Sequence, residues 1–216
     1  MNIDHLIARY PRIFHMAEAG TWDSIRRRGL LSASATLDLF EVTGKKRAAY
    51  ERKQRESMMA VLPERTDRIV LRDQKPMPPN RLERALTDGT SPAAWYALIN
   101  GKVFFWAQEH RLLTLLNARG YKHKEHDVLT VNSDTLIRRH AGRIRLCHMN
   151  SGNTWPMPHA RDIGVFQPIE AYSTRRNGAP VKEVVEIVVE YSVPDIADHV
   201  VEVRRMKGEE VLAKIF

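Results

Sequence analysis

The chain has 216 residues, with 34 Lys plus Arg against 26 Asp plus Glu and a single cysteine. A chain of that length can bury a core without covalent staples, and one cysteine excludes an internal disulfide framework and a thiolate zinc cluster. The formal charge of +8 and the pI of about 9.8 point to a polyanionic partner, nucleic acid first, although ordinary solubility charge gives the same balance.

The opening, MNIDHLIARYPRIFH, lacks the uninterrupted apolar stretch of a secretory leader, and no later run reaches the length of a membrane span. The expectation is a soluble cytoplasmic protein with no membrane partner. No internal repeat, low-complexity tract or mixed Gly/Ser/Pro linker divides the chain, so residues 1–216 read as one domain.

In chain order, IDHLIARY reads as a short helix closed by Pro11, and RIFHM as a strand. TWDSIRRRG is a helix with Thr21 as N-cap and Gly29 as its stop. GKKRAAYERKQRES is a highly charged helix and DRIVLRD a strand. KPMPPN is a loop leading into the helix PPNRLERALTDG, and SPAAWYALING follows with the same arrangement of early Pro and late Gly. KVFFW is an aromatic strand, AQEHRLLTLLNARG a helix with leucines at helical spacing, and HDVLTV a strand. SDTLIRRHAG is a helix capped by Ser133, RIRLCHM a strand, and VKEVVEIVVEY the longest β-branched run. The class is α+β. No glycine-rich phosphate loop follows a strand, so neither a Rossmann nor a P-loop reading has support.

Few residues carry chemistry on their own. His15 lies on the same strand face as Ile13, where a core histidine and a ligand-binding one look alike. Glu186 shares a face of VVEIVVEY with Val184, Val188 and Glu190, and a carboxylate there is costly to bury unpaired. It is either a solvated residue of an edge strand or a carboxylate held at a pocket. Phe105, Trp106 and Arg111 make an aromatic strand followed by an arginine. That is a core strand, or a wall for a flat ring with a partner for a pyrophosphate. Asn150, Ser151 and Asn153 belong to HMNSGNTWPMP, a polar loop after a strand, which turn chemistry also explains. His123 and His126 lie among lysines in YKHKEHD, with no metal-binding pattern, and no nucleophile elbow is present.

Three blocks together resemble the ADP-ribosyltransferase superfamily, specifically its DarT type, which modifies DNA. FHMAEAGTWDSIRRRGLLS is similar to that family's opening strand with histidine, helix and Gly-Leu pair; RNA 2′-phosphotransferases share this opening. EIVVEYSVP is similar to the strand that begins with the catalytic glutamate, and FFWAQEHRLL to the aromatic strand with an NAD-contacting arginine. The chain departs from the pattern at Met16 and Ala17, where the family favours a small apolar residue and threonine. It also resembles an uncharacterised bacterial family that shares the opening and the MNSGNT loop.

The resemblance implies an ADP-ribosyltransferase-like fold, a split central mixed sheet around an NAD cleft with helices outside. It implies NAD as substrate, no metal, and a toxin or phage-defence setting with an antitoxin or immunity partner. Glu186 and Arg111 become the catalytic pair. His15, Met16, Ser32, Phe105, Trp106, Asn150, Ser151 and Asn153 become the NAD-binding set, with the Gly29–Ser32 turn closing over the pocket. Two alternatives stay open: a phosphotransferase-like or NAD-glycohydrolase reaction on the same fold, and a nucleic-acid-binding protein without chemistry.

Overall fold

The computed structural model describes residues 1–62, 64 and 69–216. In chain order its regular elements are Ile3–Arg9 (α1), Arg12–Glu18 (β1), Trp22–Arg28 (α2), Leu30–Leu31 (β2), Ala33–Leu39 (α3), Gly44–Glu51 (α4), Met59–Val61 (β3) and Ile69–Leu71 (β4). There follow Pro79–Ala85 (α5), Pro92–Asn100 (α6), Lys102–Trp106 (β5), Glu109–Leu116 (α7), Glu125–Asn132 (β6) and Ser133–His140 (α8). The remainder is Ile144–Cys147 (β7), Gln167–Pro168 (β8), Glu186–Glu190 (β9), Ser192–Val193 (β10), Val200–Lys207 (β11) and Glu210–Lys214 (β12). The α+β class therefore holds. Of the expected strand DRIVLRD, Asp67 and Arg68 lie outside the described residues.

The expected single domain resolves into two compact units that interleave along the chain. One comprises Met1–Leu30, Val103–Met149 and Gln167–Phe216, the other Leu31–Lys102 and Asn150–Phe166.

The first unit is built on an eight-stranded sheet in the order β12-β11-β6-β1-β5-β9-β7-β8. The pairs β12/β11, β11/β6, β6/β1, β1/β5, β9/β7 and β7/β8 are antiparallel, where the resemblance implied a mixed sheet. Antiparallel neighbours need no long crossover, which suits strands this short. The ladders are unequal. β1 pairs with β6 along its whole length, from Arg12 opposite Asn132 to Glu18 opposite His126, whereas its register with β5 is Phe14 opposite Trp106.

Alternation along the strands divides the apolar side chains between two layers. Ile13, Ala17, Phe105, Leu129, Val131, Ile187 and Val189 enter the main core, together with Leu6 and Tyr10 at α1 and Leu136 and Ile137 of α8. Phe14, Met16, Val128 and Met206 pack with Leu112 and Leu116 of α7. Each fully buried aliphatic or aromatic side chain of this kind contributes about 1.5–3 kcal/mol.

In the second unit, Leu37, Val42, Tyr50, Val61 and Leu71 form a core of their own. Arg55 is buried there and donates to the carbonyls of Tyr50 and Arg72 and to Oδ1 of Asn100; burial lowers its pKa to about 10. The charged helix predicted over residues 44–57 stops at Glu51, with Arg52 as its C-cap.

Candidate functional site

His15 lies on β1 next to Phe14, whose partner on β5 is Trp106. Its Nδ1 is 2.8 Å from the carbonyl oxygen of Phe104 on β5. A carbonyl only accepts, so Nδ1 carries the proton, and in the neutral ring Nε2 is the lone-pair atom. The imidazole thus bridges β1 to β5 beside the Phe14/Trp106 pair, with its ring 5.8 Å from that of Phe105.

Glu186 begins β9 and is only 5% exposed. β9 lies between β5 and β7, so the edge-strand reading of this residue fails. Its register partner on β7 is Cys147, itself fully buried. Ile187 and Val189 enter the main core, so alternation turns Glu186 and Val188 to the other side of the strand. β5 alone separates β1 from β9, so the strands that carry His15 and Glu186 run about 10 Å apart across the sheet. Alternation by itself gives the two side chains opposite faces, because His15 lies in step with Ile13 and Ala17. A single nucleotide would have to reach both faces of the sheet to touch both.

The other expected ligands are already engaged in structure. Arg111 donates from Nε to Gln108 and from Nη2 to Glu183 at 2.6 Å, and Gln108 donates to the same carboxylate. The Arg111 bond chiefly holds the Glu183 carboxyl below its ordinary range. A pyrophosphate would have to compete with Glu183 for this guanidinium. Phe105 is wholly buried in the main core, which corrects its place in the NAD-binding set. Met16 is buried against α7, and Trp106, half-buried, packs on that same cluster. Both follow from alternation in strands covered on two sides.

Ser32, Asn150, Ser151 and Asn153 belong to the second unit. Ser32 is the N-cap of α3 and accepts the Ala35 N–H through Oγ. Asn150 Oδ1 accepts from Gly152, and Asn153 brackets Trp155 by accepting its N–H and donating to its carbonyl. Arg161, 2% exposed, donates to the carbonyls of Ser151, Asn153 and His159, so it clamps the loop from within. The loop's polar density is largely its own scaffolding.

One polar cluster escaped the sequence reading. His140, Asp195 and His199 come together in the first unit, with one ligand-type atom of each within 4.8 Å of the others. His140 Nε2 lies 2.8 Å from Asp195 Oδ1, and His199 Nε2 is 3.5 Å from Oδ2. His199 Nδ1 meets the Thr135 hydroxyl at 3.0 Å, and the two imidazoles stand edge to face. The composition suits a divalent cation, but the hydrogen bonds do not. Arg143 donates to His140 Nδ1 at 2.7 Å, which forces the ring's proton onto Nε2, where a metal would have to bind. A second guanidinium, that of Arg139, lies 3.5 Å from Asp195. The cluster is a proton-holding network. The only sequence signal for it was the spacing of His140 to Arg143 and Asp195 to His199, which carries no recognised pattern.

No curated protein and no solved structure matches this chain. Residues 11–200 match the model described as a family of unknown function, DUF7002. That match spans most of the chain, from the foot of β1 to the start of β11, and the protein belongs to the DUF7002 family.

Proposed function

We propose that the protein is an NAD-dependent ADP-ribosyltransferase that modifies nucleic acid, with Glu186 as its catalytic carboxylate and His15 as its ribose-binding group. The single observation that carries the reading is the state of His15. The Phe104 carbonyl holds Nδ1–H and so fixes the tautomer and orientation of the ring, as a ribose-binding imidazole requires. Glu186, buried on β9 two strands from β1, is the carboxylate of this scheme, since the oxocarbenium character that develops at C1′ as nicotinamide departs needs a fixed negative charge close by; contact with both groups requires the nucleotide to reach both faces of the sheet. In this scheme Glu186 stabilises that charge and takes the acceptor's proton. The net charge of +8 supports a polyanionic acceptor. No helix among the described residues is long and apolar enough to cross a membrane.

The test is incubation of the protein with labelled NAD plus DNA, RNA and cell protein. Label should enter one nucleic-acid class. Glu186→Gln should cut transfer by at least about 100-fold with an unchanged melting temperature, as removing one strong transition-state electrostatic contact does. Retained transfer in that variant would remove Glu186 from the chemistry. A second reading, nucleic-acid binding without chemistry, draws on the engagement of Arg111 by Glu183. Absence of any thermal shift at millimolar NAD would select it.

A further inference from the structure

The chain leaving β9 is held by a relay. Arg143, in the single 3-10 turn Ala141–Arg143 after α8, donates from Nη1 to the carbonyls of Glu190 and Ser192 at 2.9 and 2.7 Å. Its Nη2 donates to His140 Nδ1, and His140 Nε2–H donates in turn to Asp195. Asp195 stands at the N-cap of the turn Ile196–Asp198, just before β11. His199, at the foot of β11, continues the chain to Thr135 in the first turn of α8. The network thus ties both ends of α8 to the segment that links β9 to β11.

The bond from Arg143 Nη2 to His140 Nδ1 is the one that depends on His140 being neutral. Arg143 can only donate, so His140 Nδ1 has to accept. We propose that Arg143, His140 and Asp195 form an acid-released latch: protonation of His140 on Nδ1 ejects Arg143 and frees residues 190–192 after β9. The charged and titratable groups facing His140 are Asp195 from the turn before β11, His199 at the foot of β11 and Arg143 from the 3-10 turn, and Arg139 of α8 pairs with the same Asp195.

The balance among them favours the neutral ring. Burial lowers the His140 pKa below its ordinary value of 6.5; Asp195 opposes this, and Arg143 and His199 add to it. The unfolded chain therefore binds more protons than the folded one between the lowered value and 6.5. The latch's stabilisation is complete above 6.5 and is lost as pH falls through the lowered value. Asp195 is not the group that releases it. Burial pushes its carboxyl up, but its backbone bond and His140 outweigh that, and it stays ionised to below its ordinary 3.8.

The latch is independent of the transferase reading and is tested without NAD. Long-range proton–nitrogen NMR of the imidazoles in the full chain should show His140 protonated on Nε2 alone at pH 7.5 and on both nitrogens at low pH. Amide exchange at Tyr191–Val193 should accelerate over the same interval. His140→Asn and His140→Gln, which cannot titrate, should flatten the fall of melting temperature between pH 7.5 and 5.5 to half or less of the parent's. A proton on Nδ1 at pH 7.5 would overturn the proposal. So would exchange at residues 191–193 that ignores the His140 titration, or an unchanged pH slope in folded variants. A rise in melting temperature with equimolar zinc that vanishes in both variants would make the cluster a metal site instead. If neither variant folds, the NMR and exchange measurements on the parent chain decide.

Discussion

Gly29 shows how one residue can be fixed twice. It ends α2 with φ +83°, the left-handed region, and a Cβ built there would lie 2.6 Å from Pro194 Cα and 2.9 Å from the Val193 carbonyl oxygen. Both neighbours are backbone and cannot step aside cheaply. Gly29→Ala should destabilise the protein by about 3 kcal/mol, from backbone strain plus overlap, measured as a shift in urea midpoint. The sequence identifies this glycine as a helix stop, because Gly after a periodic apolar run is a local signal. It does not disclose Pro194, 165 positions along the chain. Glu186 has the same character. A carboxylate among valines was visible as an anomaly, but its burial was not, because that depends on β9 lying inside the sheet. Phe105 is the reverse case: its aromatic character suggested a ligand, and its position in the main core gives it another use.

Among elements, capping separates the Ser32 and Ser133 readings. Ser133 was expected to cap α8, yet Asn132 does so, accepting the Asp134 N–H. Asn and Ser are comparable caps, and adjacent candidates cannot be ranked from sequence. Ser32 caps α3, a helix the sequence did not announce, since Ala33–Leu39 has neither a charged face nor a glycine stop. Ser32→Ala should cost about 1 kcal/mol in thermal or urea unfolding, and Ser32→Asp should restore it. A loss of NAD affinity in Ser32→Asp at full stability would return this residue to the ligand set. β11 and β12 were missed for a related reason. β11 carries charges at Glu202, Arg204, Arg205 and Lys207, and every residue of β12 is exposed, so neither presents an apolar alternation. β6 places β11, which in turn holds β12, and Asp127 of β6 accepts from Arg205 at 2.6 Å and from the Gly20 N–H at 2.8 Å.

For the whole molecule, the interleaving of the two units has an experimental signature. The second unit draws on Leu31–Lys102 and Asn150–Phe166, and the shorter piece holds much of its polar wiring. Thr154 donates twice to the Pro76 carbonyl, Arg81 donates to Thr154 and Pro156, and Thr87 N–H donates to the Arg161 carbonyl. A fragment of residues 31–102 should therefore fail to give a dispersed NMR spectrum alone, and adding a peptide of residues 150–166 should restore dispersion. A well-dispersed spectrum from the fragment alone would show that its own apolar core suffices. This division was invisible in the sequence, because contiguity along the chain is the only guide to domains that composition offers, and here the chain enters and leaves each unit repeatedly.

The β1–β5 register has a mechanical meaning. A ladder reduced to Phe14 and Trp106, with an imidazole donating where backbone amides usually would, makes two four-stranded halves joined by a seam. Removing the imidazole with His15→Ala leaves the Phe104 carbonyl without that donor while touching no other rung of β1 with β6. The first unit would then be expected to part along this line under load or during local opening, each half keeping its own ladder. What looks like one continuous surface is two plates, and His15 is the pin between them.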